Sequence, residues 1–169
     1  HPARGKALGT FLNNLAKHSQ GLENSLEEPE SVPSLPAYIK DLMHRVERIK
    51  PDVHNLLLPV HGKWTELSQE SGCNLPHRLC HGDLHPLNIA WSGQDIAGVI
   101  DWEFAGFRES VYDMANVLGC VGIEDPQGLV GRFSLAFLRE LAESGTLLPE
   151  HIHVLYNATL GLRFAWMSE

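Results

Sequence analysis

Residues 79–91 read LCHGDLHPLNIAW: two histidines, an aspartate and an asparagine, held between two apolar runs. An ordinary loop has no need of such a cluster. It is a metal site, a catalytic loop or a plain turn, and the flanking sequence separates these readings. Ahead of it, His77–Cys80 (HRLC) is a short apolar segment and a candidate strand. Behind it come Asn88–Trp91 and the β-branched run Ile96–Ile100, separated by the turn signal SGQD at Ser92–Asp95. Two short apolar runs around such a turn predict a β-hairpin. A hairpin returns the end of its second strand to the beginning of its first. Asp101, just past the second strand, is thereby brought toward Asn88, and Asp83 lies within the same loop.

Two carboxylates and a carboxamide in one place suit phosphoryl transfer. A hard cation such as Mg²⁺ prefers oxygen ligands and takes one or two carboxylates, with phosphate oxygens and water completing its shell. Asp101 and the Asn88 side-chain oxygen match that need. Asp83 is left to orient a hydroxyl and accept its proton, since such reactions depend on positioning and charge neutralisation. Each residue also has an ordinary reading. Asp83 could cap the next turn, Asn88 could be a turn residue, and Asp101 could simply end a strand. The three in order, with this spacing, favour the functional reading.

The histidines invite a different one. His77, His81 and His85 recur every four residues, and neutral imidazoles bind zinc well. That spacing places them on one face only in a helix, and Gly82 and Pro86 oppose a helix here. The alternative is that His81 and His85 form hydrogen bonds within the loop.

Helical patterns surround this β patch. Leu8, Phe11, Leu12 and Leu15 share one face. Gly21–Pro36, rich in Pro and Glu, reads as an exposed linker. Its acidic cluster Glu27, Glu28 and Glu30 is either solvated or a contact for a cationic substrate. Leu35, Ile39, Leu42, Val46 and Ile49 predict an amphipathic helix ending at Pro51. Val53, Leu56, Leu57, Val60, Trp64 and Leu67 predict another, kinked or divided at Pro59. After Asp101, helices are predicted over Val111–Cys120, Leu129–Ala142 and Ile152–Trp166, with Asp125-Pro126 and Leu148-Pro149 as starts. The fold class is therefore α+β, predominantly helical, with a small β-hairpin carrying the site. Trp102 and Phe104 are expected in the core, and Arg163 and Trp166 as packing and surface groups. Glu103 either faces the substrate or is solvated.

With 169 residues, one domain with a sizeable core is expected. A formal charge of −8 argues against a nucleic-acid partner, which needs a basic surface. Three cysteines, Cys73, Cys80 and Cys120, make an odd count without a CxxC pair. They read as reduced thiols, and hence as a cytoplasmic protein. No apolar run is long enough for a membrane span, and no signal peptide opens the chain.

HGDLHPLN, followed by GVIDWEFAG and then YDMA, resembles the aminoglycoside phosphotransferase and choline kinase superfamily, which has a protein-kinase-like fold. The resemblance implies a catalytic base at Asp83 and magnesium ligands at Asn88 and Asp101. It implies that His81 is a structural member of the catalytic loop and that Asp113 supports the loop from the following helix. It further implies ATP as co-substrate, Mg²⁺ as cofactor and a small-molecule acceptor: an aminoglycoside, choline-like alcohol, sugar or amino alcohol. It implies that the chain corresponds to the C-terminal, catalytic and substrate-binding lobe. One departure is Leu87, where the family very often has Gly. A larger one is the missing nucleotide lobe: there is no Gly-rich phosphate loop, and Gly5-Lys6-Ala7 does not make one. The opening HPARGKALG lacks Met, so the chain is expected to be part of a longer kinase and to have little activity alone. A non-catalytic kinase-like module and a metal-dependent hydrolase are the competing readings. Neither the acceptor nor the oligomeric state is specified.

Overall fold

A computed structural model of the chain describes residues 1–22, 34–70 and 75–167. Most of the expected linker, its acidic cluster and Cys73 lie outside the described residues. Within them are six α-helices and four short strands, the mostly helical α+β architecture the sequence implies.

Helix α1 (Pro2–His18) buries Leu8 and Leu12 and ends in Lys17 and His18, basic side chains that suit a helix C-terminus. It lies on α5 (Arg132–Glu143), with Gly5 and Gly9 one turn apart at the contact. A Cβ at Gly5 would run into the Phe133 carbonyl, so this helix crossing requires glycine. Helices α2 (Leu35–Ile49) and α3 (Pro51–Glu70) follow. Of the two expectations at Pro59, a kink or a division, division is not seen: α3 runs through it. Pro59 stands exposed, where the Asn55 carbonyl, deprived of its usual N–H partner, can turn to water. The apolar stripes are also only partly buried. Ile39, Leu42, Met43 and Trp64 are covered, whereas Ile49, Val53, Leu56 and Val60 face outward.

Strand β1 (His77–Cys80) appears where expected. Its partner is β4 (Gly106–Glu109), which the sequence reading missed. The two run antiparallel with His77 opposite Glu109 and Cys80 opposite Gly106. β2 (Ile89–Ser92) and β3 (Asp95–Val99) form the predicted hairpin, with Ile89 opposite Val99 and a bulge at Ala90/Trp91. Asn88 belongs to a 3₁₀ turn, Pro86–Asn88, immediately before β2.

Helix α4 (Tyr112–Glu124) extends past the expected end. The expected helix at Leu129 divides into a 3₁₀ turn, Pro126–Val130, and α5, which starts at Arg132. Gly128 and Gly131, poor helix formers, occupy the break. A short 3₁₀ turn, Pro149–His151, leads into α6 (Ile152–Trp166).

The main core joins Leu8 and Leu12 of α1, Leu84 and Ile89 of the loop and hairpin, and Met114, Val117, Phe137 and Leu155 of the later helices. A smaller one joins Ile39, Met43, Trp64 and Phe164. Leu84, fully buried, sits in the middle of the polar cluster and fastens it to the main core. Among the described residues no helix is long and apolar enough to cross a membrane.

Candidate active site

The loop between β1 and β2 is fixed first through its backbone. Asp113, one residue into α4, accepts hydrogen bonds from the His81 N–H at 2.7 Å and the Gly82 N–H at 3.0 Å. Its carboxylate is almost completely buried, and burial raises its pKa, while the two N–H bonds pull the other way. Gly82 has φ 86, and a Cβ there would collide with the Phe104 carbonyl. Only glycine meets both conditions without strain.

The His81 ring is completely buried. Nε2 lies 2.8 Å from the Ile100 carbonyl, which can only accept, so Nε2 carries the proton. Nδ1 is then the acceptor for the Asp83 N–H at 3.3 Å. With both nitrogens engaged, His81 has none for zinc. Among the described residues no cluster of three His, Cys, Asp or Glu could hold a metal. The same bond ties the loop to Ile100, the residue before Asp101.

Asp83 is held at one oxygen. Asn88 Nδ2 donates to its Oδ2 at 3.2 Å and to its backbone carbonyl at 3.0 Å. His85 Nε2 lies 3.3 Å from the same Oδ2. The Leu87 N–H donates to His85 Nδ1 at 3.3 Å, which turns Nε2 toward Asp83. Oδ1 of Asp83 has no such partner among the described residues.

The hairpin brings Asp101 back as expected. The Ile100 N–H donates to the Asn88 carbonyl at 3.0 Å, which seats Asp101 one residue from that bond. Asp101 is exposed and left-handed at φ 69, the single described non-glycine residue with positive φ. Its carboxylate has no cap or ion-pair partner among the described residues. Because Asn88 spends its N–H₂ on Asp83, its Oδ1 remains a free oxygen donor. An exposed carboxylate and an amide oxygen are donors a hard cation accepts, provided phosphate oxygens complete the shell.

The aromatic residues after Asp101 differ from expectation. Trp102 and Phe104 are 38% and 52% exposed rather than core, because they sit on a 3₁₀ turn at the rim. Trp102 Nε1 donates to the Val99 carbonyl at 2.9 Å, and its ring lies 4.7 Å from that of His81. Glu103, between them, is exposed. Cys80 and Cys120 are both free, and burial pushes both thiols up, which leaves neither as a nucleophile.

The sequence reading missed a second layer. Trp166, at the end of α6, meets the His85 ring edge-to-face at 5.8 Å and 89°. Arg163 lies 5.2 Å from the Trp166 ring and donates to Asn116 Oδ1 at 2.9 Å. Asn116 is buried one turn after Asp113 on α4. Two polar residues three apart in the otherwise apolar helix YDMANVLG were the available signal.

Residues 1–148 match the model of the "Phosphotransferase enzyme family". The chain is 33% identical over 93 residues to a homoserine kinase of Parvibaculum lavamentivorans, covering 53% of this chain and 28% of that protein. It is 36% identical over 78 residues to a homoserine kinase of Rhodopseudomonas palustris, covering 44% and 22% respectively. The chain thus spans about a quarter of the length of the curated relatives it matches. With the family model matched over most of its length, the chain belongs to the phosphotransferase enzyme family.

Proposed function

We propose that this chain is the catalytic and acceptor-binding part of an ATP- and Mg²⁺-dependent small-molecule kinase. The observation that carries the reading is the state of Asp83: Oδ2 is held by Asn88 and His85, and Oδ1 is open. In the proposed reaction the acceptor hydroxyl gives its proton to Asp83 Oδ1. Its oxygen bonds to the γ-phosphorus as the bond to the bridging oxygen breaks, and ADP departs with that electron pair. Asn88 Oδ1 and the Asp101 carboxylate would hold Mg²⁺, which when bound neutralises phosphate charge. His81 and Asp113 keep the loop backbone fixed, and Glu103 stands at the rim as a candidate contact for the acceptor. The elements that close over ATP are proposed to come from residues outside this chain, since its sequence contains no Gly-rich phosphate loop.

We rank hydroxy amino acids first among acceptors, with aminoglycosides, choline-like alcohols and sugars after them; that two partly matched relatives are named homoserine kinase supports this order. The test is ATP turnover by the intact protein across that panel. Transfer to one acceptor, abolished by Asp83→Asn, is the expected result. Full activity in that variant would overturn the base assignment. Phosphoester hydrolysis without ATP would favour a hydrolase. The 169-residue chain alone is expected to bind ATP weakly in a calorimetric titration with Mg²⁺.

A further inference from the structure

Arg163 is a charge that the fold accommodates but does not neutralise. Its guanidinium lies against Gly119 of α4, where a Cβ would collide with Nε and Cζ. Glycine at 119 therefore leaves the space that the guanidinium fills. Asn116, three residues earlier on α4, accepts from Nη2 at 2.9 Å, and Cys120 Sγ lies 3.7 Å from Nη1. The Trp166 ring covers the group at 5.2 Å. Each of these partners is neutral. No carboxylate among the described residues pairs with Arg163. Its Nε is buried without a hydrogen-bond partner. A half-buried cation with unspent N–H donors carries a desolvation cost that a bound anion would offset.

Two observations put this charge on the Asp83 side of α4. The Trp166 ring that covers it also meets the His85 ring at 5.8 Å, and His85 Nε2 lies 3.3 Å from Asp83 Oδ2. Cys120 supplies the other. Burial pushes its thiol up, Arg163 opposes the shift, and Asp83 and Glu124 reinforce it, so one sulfur feels both the guanidinium and the Asp83 carboxylate. The planar fork of arginine suits a carboxylate, which it can hold through two parallel N–H bonds. A molecule with a hydroxyl at one end and a carboxylate at the other matches this order of charges, hydroxyl toward Asp83 and carboxylate toward Arg163.

We propose that Arg163 binds the carboxylate of the acceptor, which makes the acceptors of this site hydroxy acids. The inference rests on the kinase reading above and deepens it, by assigning the group that selects the acceptor. It also gives the neutral setting of Asn116, Gly119 and Cys120 a purpose: the guanidinium is held in place with its charge left for a ligand.

The test uses the intact protein with ATP, Mg²⁺ and two acceptors that differ only in the carboxylate, L-homoserine and 3-amino-1-propanol. Wild type should phosphorylate L-homoserine with the lower KM. Arg163→Met should raise that KM on the order of 10- to 100-fold, the range for losing a hydrogen bond to a charged group, and leave the KM for 3-amino-1-propanol unchanged. Arg163→Lys keeps the charge without the fork and should fall between. It carries the comparison if Arg163→Met does not fold. Equal changes for both acceptors would make Arg163 a structural residue and overturn the proposal. A wild type that prefers acceptors without a carboxylate would overturn it too, while leaving the kinase reading intact. If wild type transfers phosphoryl to no acceptor, the kinase reading fails, and calorimetric titration with L-homoserine alone decides the site. Binding lost in Arg163→Met would uphold it; binding equal in both proteins, or absent from wild type, would overturn it.

Discussion

The two halves of the 81–88 loop are built to different standards. The His81–Gly82 half is fixed through main-chain N–H groups on a buried carboxylate, at 2.7 and 3.0 Å. The His85–Asn88 half meets Asp83 through side-chain contacts of 3.0 to 3.3 Å, beside two main-chain bonds of 3.0 Å at Asn88, and it carries Leu87, 85% exposed. The first half sets where the loop is. The second sets how one carboxylate is presented. Stability should therefore depend on the first half and turnover on the second.

The sharpest way to break that contrast is Asp83→Asn. It should reduce kcat by on the order of 10²–10⁴-fold, the usual contribution of a positioned general base. Its denaturant-unfolding free energy should change by less than about 0.5 kcal/mol. A large loss of stability would mean that Asp83 also supports the fold.

Asp113→Ala should do the reverse, destabilising the protein by about 3 kcal/mol, because two buried N–H groups lose their acceptor. Urea unfolding at neutral pH measures this. A cost below about 1 kcal/mol would show that the first half is not the rigid one.

A smaller effect sharpens the electrostatics. Burial raises the Asp113 pKa above its ordinary 3.8, so the folded state holds that proton more tightly than the unfolded chain does. The sign follows from linkage: this group favours folding most below pH 3.8, and that contribution is lost as pH rises through the raised folded value. Subtracting the pH–stability curve of Asp113→Asn from that of wild type should reveal this slope, and a difference rising with pH over the same window would contradict it.

The smallest effect belongs to Leu87→Gly, which should alter unfolding free energy by about 0.5 kcal/mol or less, as an exposed position allows. A cost several times larger would give the second half a structural role it is not assigned above.

Much of this was legible in the sequence because it is local. The β2–β3 hairpin follows from a β-branched run and a turn signal, and it carries Asp101 to Asn88 without any tertiary information. Asp113 was legible only through resemblance. What stayed hidden depends on distant partners. β4 reads GFRE, without strand alternation, and becomes a strand because β1 needs an edge partner. Trp102 and Phe104 look like core residues by hydrophobicity, yet a 3₁₀ turn places them at the rim. The exposed stripe on α3 has the helical period but not the burial, since periodicity reports a face and not what covers it. Trp166 and His85 are far apart in sequence, and nothing local announces that their rings meet.

The left-handed backbone at Asp101 has an evolutionary consequence. Glycine adopts φ 69 without penalty, whereas aspartate is strained by roughly 1 kcal/mol or more. A laboratory selection for heat resistance alone would therefore favour glycine at position 101 and, on the reading proposed above, discard the metal ligand as it did so.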